Sequence, residues 1–329
     1  MDTATAKRKK FREILNRKTL TVMPGGFSPL YARAAQAIGF ECFFVAGSQM
    51  SAYLLGVPDT GIIGLRDIVD HARHVAGRTE IPIFLDTDTG FGNAVNVHYT
   101  VQECVRAGIA GLQIEDQEAP KKSGISAGRR CIPVDEAVGK YRAAVAARND
   151  LDPEFVICAR CDLLGAEGSS FEDAVERCKT YVKDGGVDLI WLNTIETVEQ
   201  IKIACAEIPA PVLTIWAGKP PAPTHAELER LGLRIALYPV VAASVGLQAS
   251  WQVLNDLQQR GSVALYDWRD DVKNSRYGAV DMSKLIGTDE VRRLEQDFLP
   301  QSAQRNYDDT WGHQTVLEFG DAPPALKHN

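Results

Sequence analysis

Phe84-Leu85-Asp86-Thr87-Asp88-Thr89-Gly90-Phe91-Gly92 joins an apolar run to two acids and a glycine turn, and the fold can be read outward from this junction. Residues 81–85 read as a buried strand. Alternate side chains of a strand share a face, so Asp86 and Asp88 point the same way. Two neighbouring carboxylates repel each other and persist cheaply only where a cation sits between them. A hard divalent ion with oxygen ligands is the simplest candidate, Mg2+ first and Mn2+ as a substitute. Solvated loop acids are the commoner fate of an Asp-x-Asp pair. Here, however, a strand followed by a polar residue recurs down the chain.

Short apolar strands are expected at 20–23, 41–45, 81–85, 111–114, 155–159, 187–192, 211–216 and 234–237. Each is followed by a helical stretch, at 28–38, 65–76, 97–107, 134–148, 171–183, 198–207, 225–231 and 240–259. Strands that alternate with helices imply a parallel sheet. Eight such units in about 240 residues fit a (β/α)8 TIM-type barrel of roughly 250 residues. A doubly wound dinucleotide-binding sheet is the weaker alternative, because Gly90-Phe91-Gly92 lacks the G-x-G-x-x-G spacing. A helix at 6–16 precedes the barrel. Its run Lys7-Arg8-Lys9-Lys10 reads as a solvated face rather than a phosphate site. Residues 1–261 are thus expected to form the catalytic barrel domain with its N-terminal helix. Residues 262–329, with helix 288–298 and a Pro/Gly-rich end, form a helical extension that packs on the barrel or on a neighbouring subunit.

The 329 residues are 45% hydrophobic and 24% charged, the proportions of a globular protein with ample core. A formal net charge of −7 argues against nucleic acid as a partner. No apolar run approaches a membrane span and no signal peptide is evident, so a cytoplasmic enzyme without membrane contact is expected. Seven cysteines, mostly single, suit a reducing compartment better than a disulfide framework. Cys158 and Cys161 are spaced C-x-x-C but lie in one strand, where residues three apart face opposite sides; core packing is the reading.

Chemistry in such a barrel sits at the C-terminal mouth of the strands. Gly47-Ser48 follows strand two and Asp59 lies in the next loop; Asp86 and Asp88 follow strand three. Glu115 ends strand four, Arg160 strand five and Asn193 strand six. These acids need a metal and an anionic ligand to coexist. Asp86, with Asp88 and Glu115 acting directly or through water, would hold Mg2+ and so chelate a 2-oxo or 2-hydroxy acid. Backbone N–H groups of Gly47 and Ser48 could serve its carboxylate or a developing oxyanion. Arg160 would pair with a carboxylate in a bidentate fork. Lys121 and Ser123 lie in a Gly/Ser/Lys-rich loop, 118–130, able to close over the mouth. Taken alone, Lys121 reads as an exposed loop lysine and Ser123 as an ordinary loop serine. His71, His74, His98 and His225 are read as structural or exposed.

With these residues assembled, the chain resembles the isocitrate lyase/phosphoenolpyruvate mutase superfamily over roughly residues 20–259. The motifs are Gly56-Val57-Pro58-Asp59-Thr60-Gly61, Asp86 to Gly92, and Ile114-Glu115-Asp116-Gln117 followed by Pro120-Lys121-Lys122. Arg160 with Asp162, and Ala236-Leu237-Tyr238-Pro239, complete the set. It most resembles the 2-methylisocitrate and 2,3-dimethylmalate lyase branch. The resemblance implies a Mg2+-dependent carbon–carbon lyase acting on small 2-hydroxy or 2-oxo acids. It also implies a homotetramer that swaps its last barrel helix between subunits.

Departures from the branch bear on the substrate. Its mobile loop carries Lys-Lys/Arg-Cys-Gly-His, whereas this chain reads Lys121-Lys122-Ser123-Gly124-Ile125. A hydroxyl is a far weaker acid than the thiol that protonates the departing carbanion. Ala46 replaces a serine, Asn193 a glutamate and Ile215 an asparagine. A less polar or bulkier acid would suit Ile125, Ile215 and Trp216. The expected activity is cleavage of a substituted malate to pyruvate or a related 2-oxo acid plus a second carboxylate. The alternatives are an oxaloacetate-type decarboxylase or hydrolase using the same metal site, and a barrel that binds a 2-oxo acid without turnover.

Overall fold

Strand alternation sorts the apolar residues into two cores. Met23, Phe44, Phe84, Cys158, Trp191, Leu213, Ile235 and Leu237 fill the inside of a barrel, while their sequence neighbours Phe43, Val45, Ile83, Leu85 and Ile157 face a surrounding helical layer. A computed structural model of the protein describes residues 3–305; the Pro/Gly-rich end of the extension lies outside them. Eight parallel strands close in sequence order, β1 (Thr21–Gly26), β2 (Phe43–Val45), β3 (Ile83–Asp86), β4 (Gly111–Glu115), β5 (Val156–Cys161), β6 (Leu189–Leu192), β7 (Val212–Thr214) and β8 (Ile235–Tyr238). The ring is completed by β1 against β8, with Thr21 opposite Ile235.

Helix α1 (Thr3–Asn16) precedes the barrel. Between strands lie α2 (Pro29–Ile38), the short α3 (Gly47–Met50) running into a π-helical turn over Ser51–Leu55, α4 (Leu65–Ala76), α5 (Ala94–Arg106), α6 (Val134–Leu151), α7 (Phe171–Lys183), α8 (Val198–Glu207) and α9 (His225–Arg230). Then follow α10 (Val241–Arg260), α11 (Ser262–Lys273), α12 (Met282–Ile286) and α13 (Thr288–Phe298). The (β/α)8 expectation holds, and α4, α7, α8 and α13 match the expected spans residue for residue. Helix starts follow capping chemistry: Ser170 caps α7 and Thr197 caps α8 through side-chain oxygens. The helical turn after β2 was not expected, nor that Tyr266 to Asp271 lies within α11. The chain divides into two compact units that part between Ala243 and Ser244.

Helix α1 seals the N-terminal end of the barrel. Phe11 reaches the interior core and packs on Phe84, with ring centroids 5.6 Å apart. Gly111 makes the room: a Cβ there would stand 3.1 Å from the Phe11 ring. Arg8 corrects the reading of the basic run as a solvated face. Its guanidinium is buried, pairs with Asp152 at 2.6 Å, and donates to the carbonyls of Ile109 (2.9 Å) and Val105 (2.5 Å). The reason is helical spacing, since Arg8 shares the inward face of Phe11 and Leu15. The two cysteines of β5 part as expected, Cys158 into the interior and Cys161 into the outer core.

Arg8→Ala strands a buried carboxylate and two carbonyls, so it should cost about 3–5 kcal/mol in urea unfolding, against within about 0.5 kcal/mol for Lys10→Ala. Although burial opposes it, the Arg8 and Thr5 hydrogen bonds hold Asp152 below the usual carboxylate range. That stabilisation is present above the unfolded value of about 3.9 and is lost as pH falls through the folded one. The gap between wild type and Arg8→Ala should therefore narrow below about pH 4.

Candidate active site

The inward-facing parity that fills the barrel with apolar side chains continues one step further to its C-terminal rim. There it presents Asp86 above Phe84, Glu115 above Gln113, Arg160 above Cys158, Asn193 above Trp191 and Ile215 above Leu213. Asp86, Glu115, Arg160 and Asn193 are all buried. Asp88 joins them from the turn, where its backbone is left-handed (φ 47°). Gly47 at the end of β2 lets the two aspartates close in. A Cβ at that position would stand 3.0 Å from the Asp86 carboxyl carbon and 3.1 Å from Asp88 Oδ1.

Asp86 is satisfied by the protein. Its Oδ2 accepts from Gly47 N (3.0 Å), and its Oδ1 from Asp88 N (3.0 Å) and from the Gln113 amide. The expectation that Gly47 N–H is free for a substrate or oxyanion is corrected here, because a buried carboxylate takes the nearest donor. Ser48 follows, half-buried in α3.

Lys121 is no exposed loop lysine. It is 2% exposed, and its Nζ lies 2.6 Å from Asp59 Oδ1, 2.8 Å from Asp88 Oδ1 and 3.5 Å from Glu115 Oε1. Its loop is held in place by Gln117, whose side chain accepts from Lys122 N and donates to Lys122 O, both at 3.0 Å. Burial works against the Lys121 charge, yet Glu115, Asp88, Asp86 and Asp59 together raise its pKa well above the ordinary value. Burial pushes Asp88 up to about 6 against the pull of Lys121. Glu115 rises well above the carboxylate range because burial outweighs Arg160 and Lys121.

Five carboxylates here (Asp59, Asp86, Asp88, Glu115 and Asp162) meet three cationic groups, Lys121, Arg129 and Arg160. Asp88 Oδ2 and Gln113 Oε1 are buried with no hydrogen-bond donor on them, while Asp88 Oδ1 and the two Glu115 oxygens meet only the ion-pair cations Lys121 and Arg160. Such an excess of hard oxygens fits a divalent cation with its waters. Among the described residues, no three His, Cys, Asp or Glu side chains gather closely enough to grip an ion by themselves. An ion held there would keep water or substrate oxygens in its shell.

Arg160 stands opposite the lysine. Its Nη1 lies 3.2 Å from Glu115 Oε2, its Nε 2.9 Å from Asp162 Oδ2, and its plane stacks on Trp191 at 4.6 Å. The fork expected to grip a substrate carboxylate is thus occupied by Asp162, leaving Nη1 toward the acids. Asn193 Nδ2 donates to Asp162 Oδ1 (2.6 Å) and to Gly124 O (3.1 Å). Ser123 is half-buried in the closed loop. Ile125 is 97% exposed, so it lines no pocket; Ile215 does pack on the interior core, and Trp216 on the outer one. His225 bonds Tyr238 away from the acids, at 2.9 Å, and His71 bonds Phe27 O. Gln113, Asp162 and Arg129 are site residues that the expected set lacks. Strand parity two residues before Glu115 would have found Gln113, whereas nothing local marks Arg129.

The family model described as phosphoenolpyruvate phosphomutase matches residues 11–257. The chain is 34% identical over 291 residues to a 2,3-dimethylmalate lyase of Eubacterium barkeri, covering 88% of this chain and 97% of that protein. It is 33% identical over 288 residues to a 2-methylisocitrate lyase of Aeropyrum pernix, covering 87% and 89%. Among solved structures, oxaloacetate acetylhydrolase in complex with the inhibitor 3,3-difluorooxalacetate superposes with a TM-score of 0.78 at 30% identity, covering 89% of this chain and 97% of that one. A phosphonopyruvate hydrolase complex with oxalate and Mg++ gives 0.76 at 27% identity, covering 89% and 99%. The acid-lined mouth therefore sits in a chain that belongs to the phosphoenolpyruvate phosphomutase family, within the isocitrate lyase/phosphoenolpyruvate mutase superfamily.

Proposed function

We propose that the protein is a Mg2+-dependent carbon–carbon lyase that cleaves a substituted, malate-type 2-hydroxy acid to pyruvate or a related 2-oxo acid plus a second carboxylate. The observation that carries this reading is the surplus of buried carboxylate at the mouth, where Asp88 and Glu115 share Lys121 and Arg160 and Asp88 Oδ2 has no donor. Asp86, Asp88 and Glu115 would hold the ion, with Mn2+ able to replace it. Bound there, it would supply a Lewis acid to the substrate. Asp59 accepts the hydroxyl proton, and Lys121, 2.6 Å away, balances the charge that develops. As the carbonyl forms, the C2–C3 bond breaks and its electron pair passes to C3, where protonation gives the second carboxylate. Arg160, whose Nη1 lies among the acids beside Glu115, supplies positive charge for the substrate's anionic end, with Gly47, Ser48 and Asn193 around it, and the closed loop keeps water out. Ser123 relays the final proton.

The loop's lack of a thiol favours a second reading, an oxaloacetate-type decarboxylase or hydrolase whose enolate takes its proton from solvent. Cys131, the nearest cysteine along the chain, donates to Asp116, and burial pushes its thiol up. We further propose that residues 1–261 act as the catalytic unit, with 262–329 as an extension. A cytoplasmic homotetramer exchanging α10 fits the exposed Val245, Leu247, Trp251 and Leu254 of that helix. A cavity of about 300 Å3 beside β7 and β8, lined by Ile215, Leu237 and Val240, gives such a helix apolar surface to cover. No helix among the described residues is long and apolar enough to cross a membrane.

Release of 2-oxo acid should be assayed with 2,3-dimethylmalate, 2-methylisocitrate and oxaloacetate, with and without Mg2+. Turnover of a substituted malate, abolished by chelation and lowered at least about 1000-fold by Asp86→Ala, is expected. Oxaloacetate turnover alone would transfer the assignment to the second reading. Oxalate binding with no turnover of any acid would leave a binding-only barrel. Lys121→Met takes the shared cation from half-buried Asp59 and from buried Asp88, and leaves Glu115 with Arg160 alone. Without divalent metal it should lower stability by about 3–5 kcal/mol, measured by chemical unfolding, and added Mg2+ should recover part of the loss.

A further inference from the structure

The loop that carries Lys121 is tied at its tip by contacts that the proposed chemistry does not use. Its stem is fixed by the bridge between Gln117 and Cys131 and by Glu118 N donating to Arg130 O (2.9 Å). At the tip, Gly124 O accepts from Arg129 Nη1 at 2.7 Å and from Asn193 Nδ2 at 3.1 Å. Arg129 is 4% exposed. The same Nη1 donates to Asp162 Oδ1 (2.9 Å), and Nη2 donates to Thr194 Oγ1 (2.9 Å) at the exit of β6. One guanidinium thus joins the loop tip to the ends of two strands.

Two glycines show how closely these parts are fitted. A Cβ on Gly124 would stand 2.2 Å from Arg160 Nη2 and 2.9 Å from Asn193 Nδ2, so the loop tip seats its bare backbone on the Arg160 guanidinium. A Cβ on Gly165 would stand 1.4 Å from Arg129 Nη2, so the Arg129 guanidinium lies across that glycine. Thr194 holds a left-handed backbone (φ 63°), a conformation that a branched residue adopts only where its surroundings over-determine it.

Asp162 Oδ1 couples the contacts. It accepts from Arg129 Nη1, from Arg160 Nη2 at 3.1 Å and from Asn193 Nδ2 at 2.6 Å. A carboxylate oxygen offers about two lone pairs, so three donors compete for it and loss of one redirects the others. Resting on the reading of this mouth as the active site, we propose that Arg129 is a positioning residue with two linked effects. It latches the loop closed through Gly124, and through Asp162 it sets the direction of Arg160, so that Arg160 is aimed only when the loop is down. Asn193 serves the same latch because its amide donates to two acceptors; a carboxylate there could donate to neither and would repel Asp162.

Hydrogen exchange measured by mass spectrometry on the full-length, ligand-free enzyme tests this. In Arg129→Met, exchange should rise about tenfold or more both in the loop, 122–128, and in the β5 exit, 162–166, while the strands stay protected. Arg129→Lys should restore part of the protection in both segments. Gly165→Ala, which keeps the arginine but displaces its guanidinium, should give the same paired rise, and these two variants decide the matter if Arg129→Met does not fold. A rise confined to the loop would overturn the coupling, and no rise in either segment would overturn the latch. The wild type measured with Mg2+ and oxalate separates the two proposals. Absence of protection around Gly47 and at 86–88 would count against the proposed function, whereas the ligand-free comparison alone decides the latch.

Discussion

The Lys121 ammonium lies between Asp59 and Asp88 with Glu115 behind it, and the loop, the acids and the barrel rim are each constrained by that contact. Removing one charge from water costs several kcal/mol even after relaxation, so acids gathered in a dry rim persist only with cations brought to them. The loop holds one of those cations, Lys121, against the acids, so the position of the loop and the charge balance go together. The balance is incomplete, because five carboxylates meet three cations and Asp88 Oδ2 receives no hydrogen bond. The remaining demand is what a divalent ion and an anionic substrate would meet together.

The barrel makes this crowding possible. Layers of Phe44, Phe84, Cys158 and Trp191 fill the interior beneath the acids, and Phe11 of α1 closes the opposite end. With the interior filled below them, the acids face the mouth, where the loop lies. Gly47 and Gly124 serve the same end from opposite sides: each lets backbone reach a charged group where a methyl would not fit. In a low-dielectric pocket, such preorganised donors and charges act more strongly on a reacting anion than they would in water.

Strand parity made most of this legible before any coordinates. Alternation along β3, β4, β5 and β6 brings Asp86, Glu115, Arg160 and Asn193 to one rim, and the regular alternation of strands with helices gives the barrel itself. Loop residues follow no such period. Lys121 and Ile125 stand four apart in one Gly/Ser-rich loop, yet the first is buried and the second 97% exposed, an assignment that only the closed loop decides. Arg160 and Asp162 were legible as a motif two residues apart, but that Asp162 takes the fork expected for a substrate was not. Arg8 was the readable miss: its three-residue spacing from Phe11 places it on the buried face of an otherwise basic helix.

The proposed function depends on a divalent ion completing the charge balance among Asp86, Asp88 and Glu115. Titration of Mn2+ followed by electron paramagnetic resonance, with oxalate present, measures this without reference to any substrate. Wild-type enzyme should bind about one ion per chain, and Asp86→Asn and Asp88→Asn, shown to be folded, should lose that binding at least about tenfold. No binding by the wild type, or undiminished binding by both variants, would contradict it.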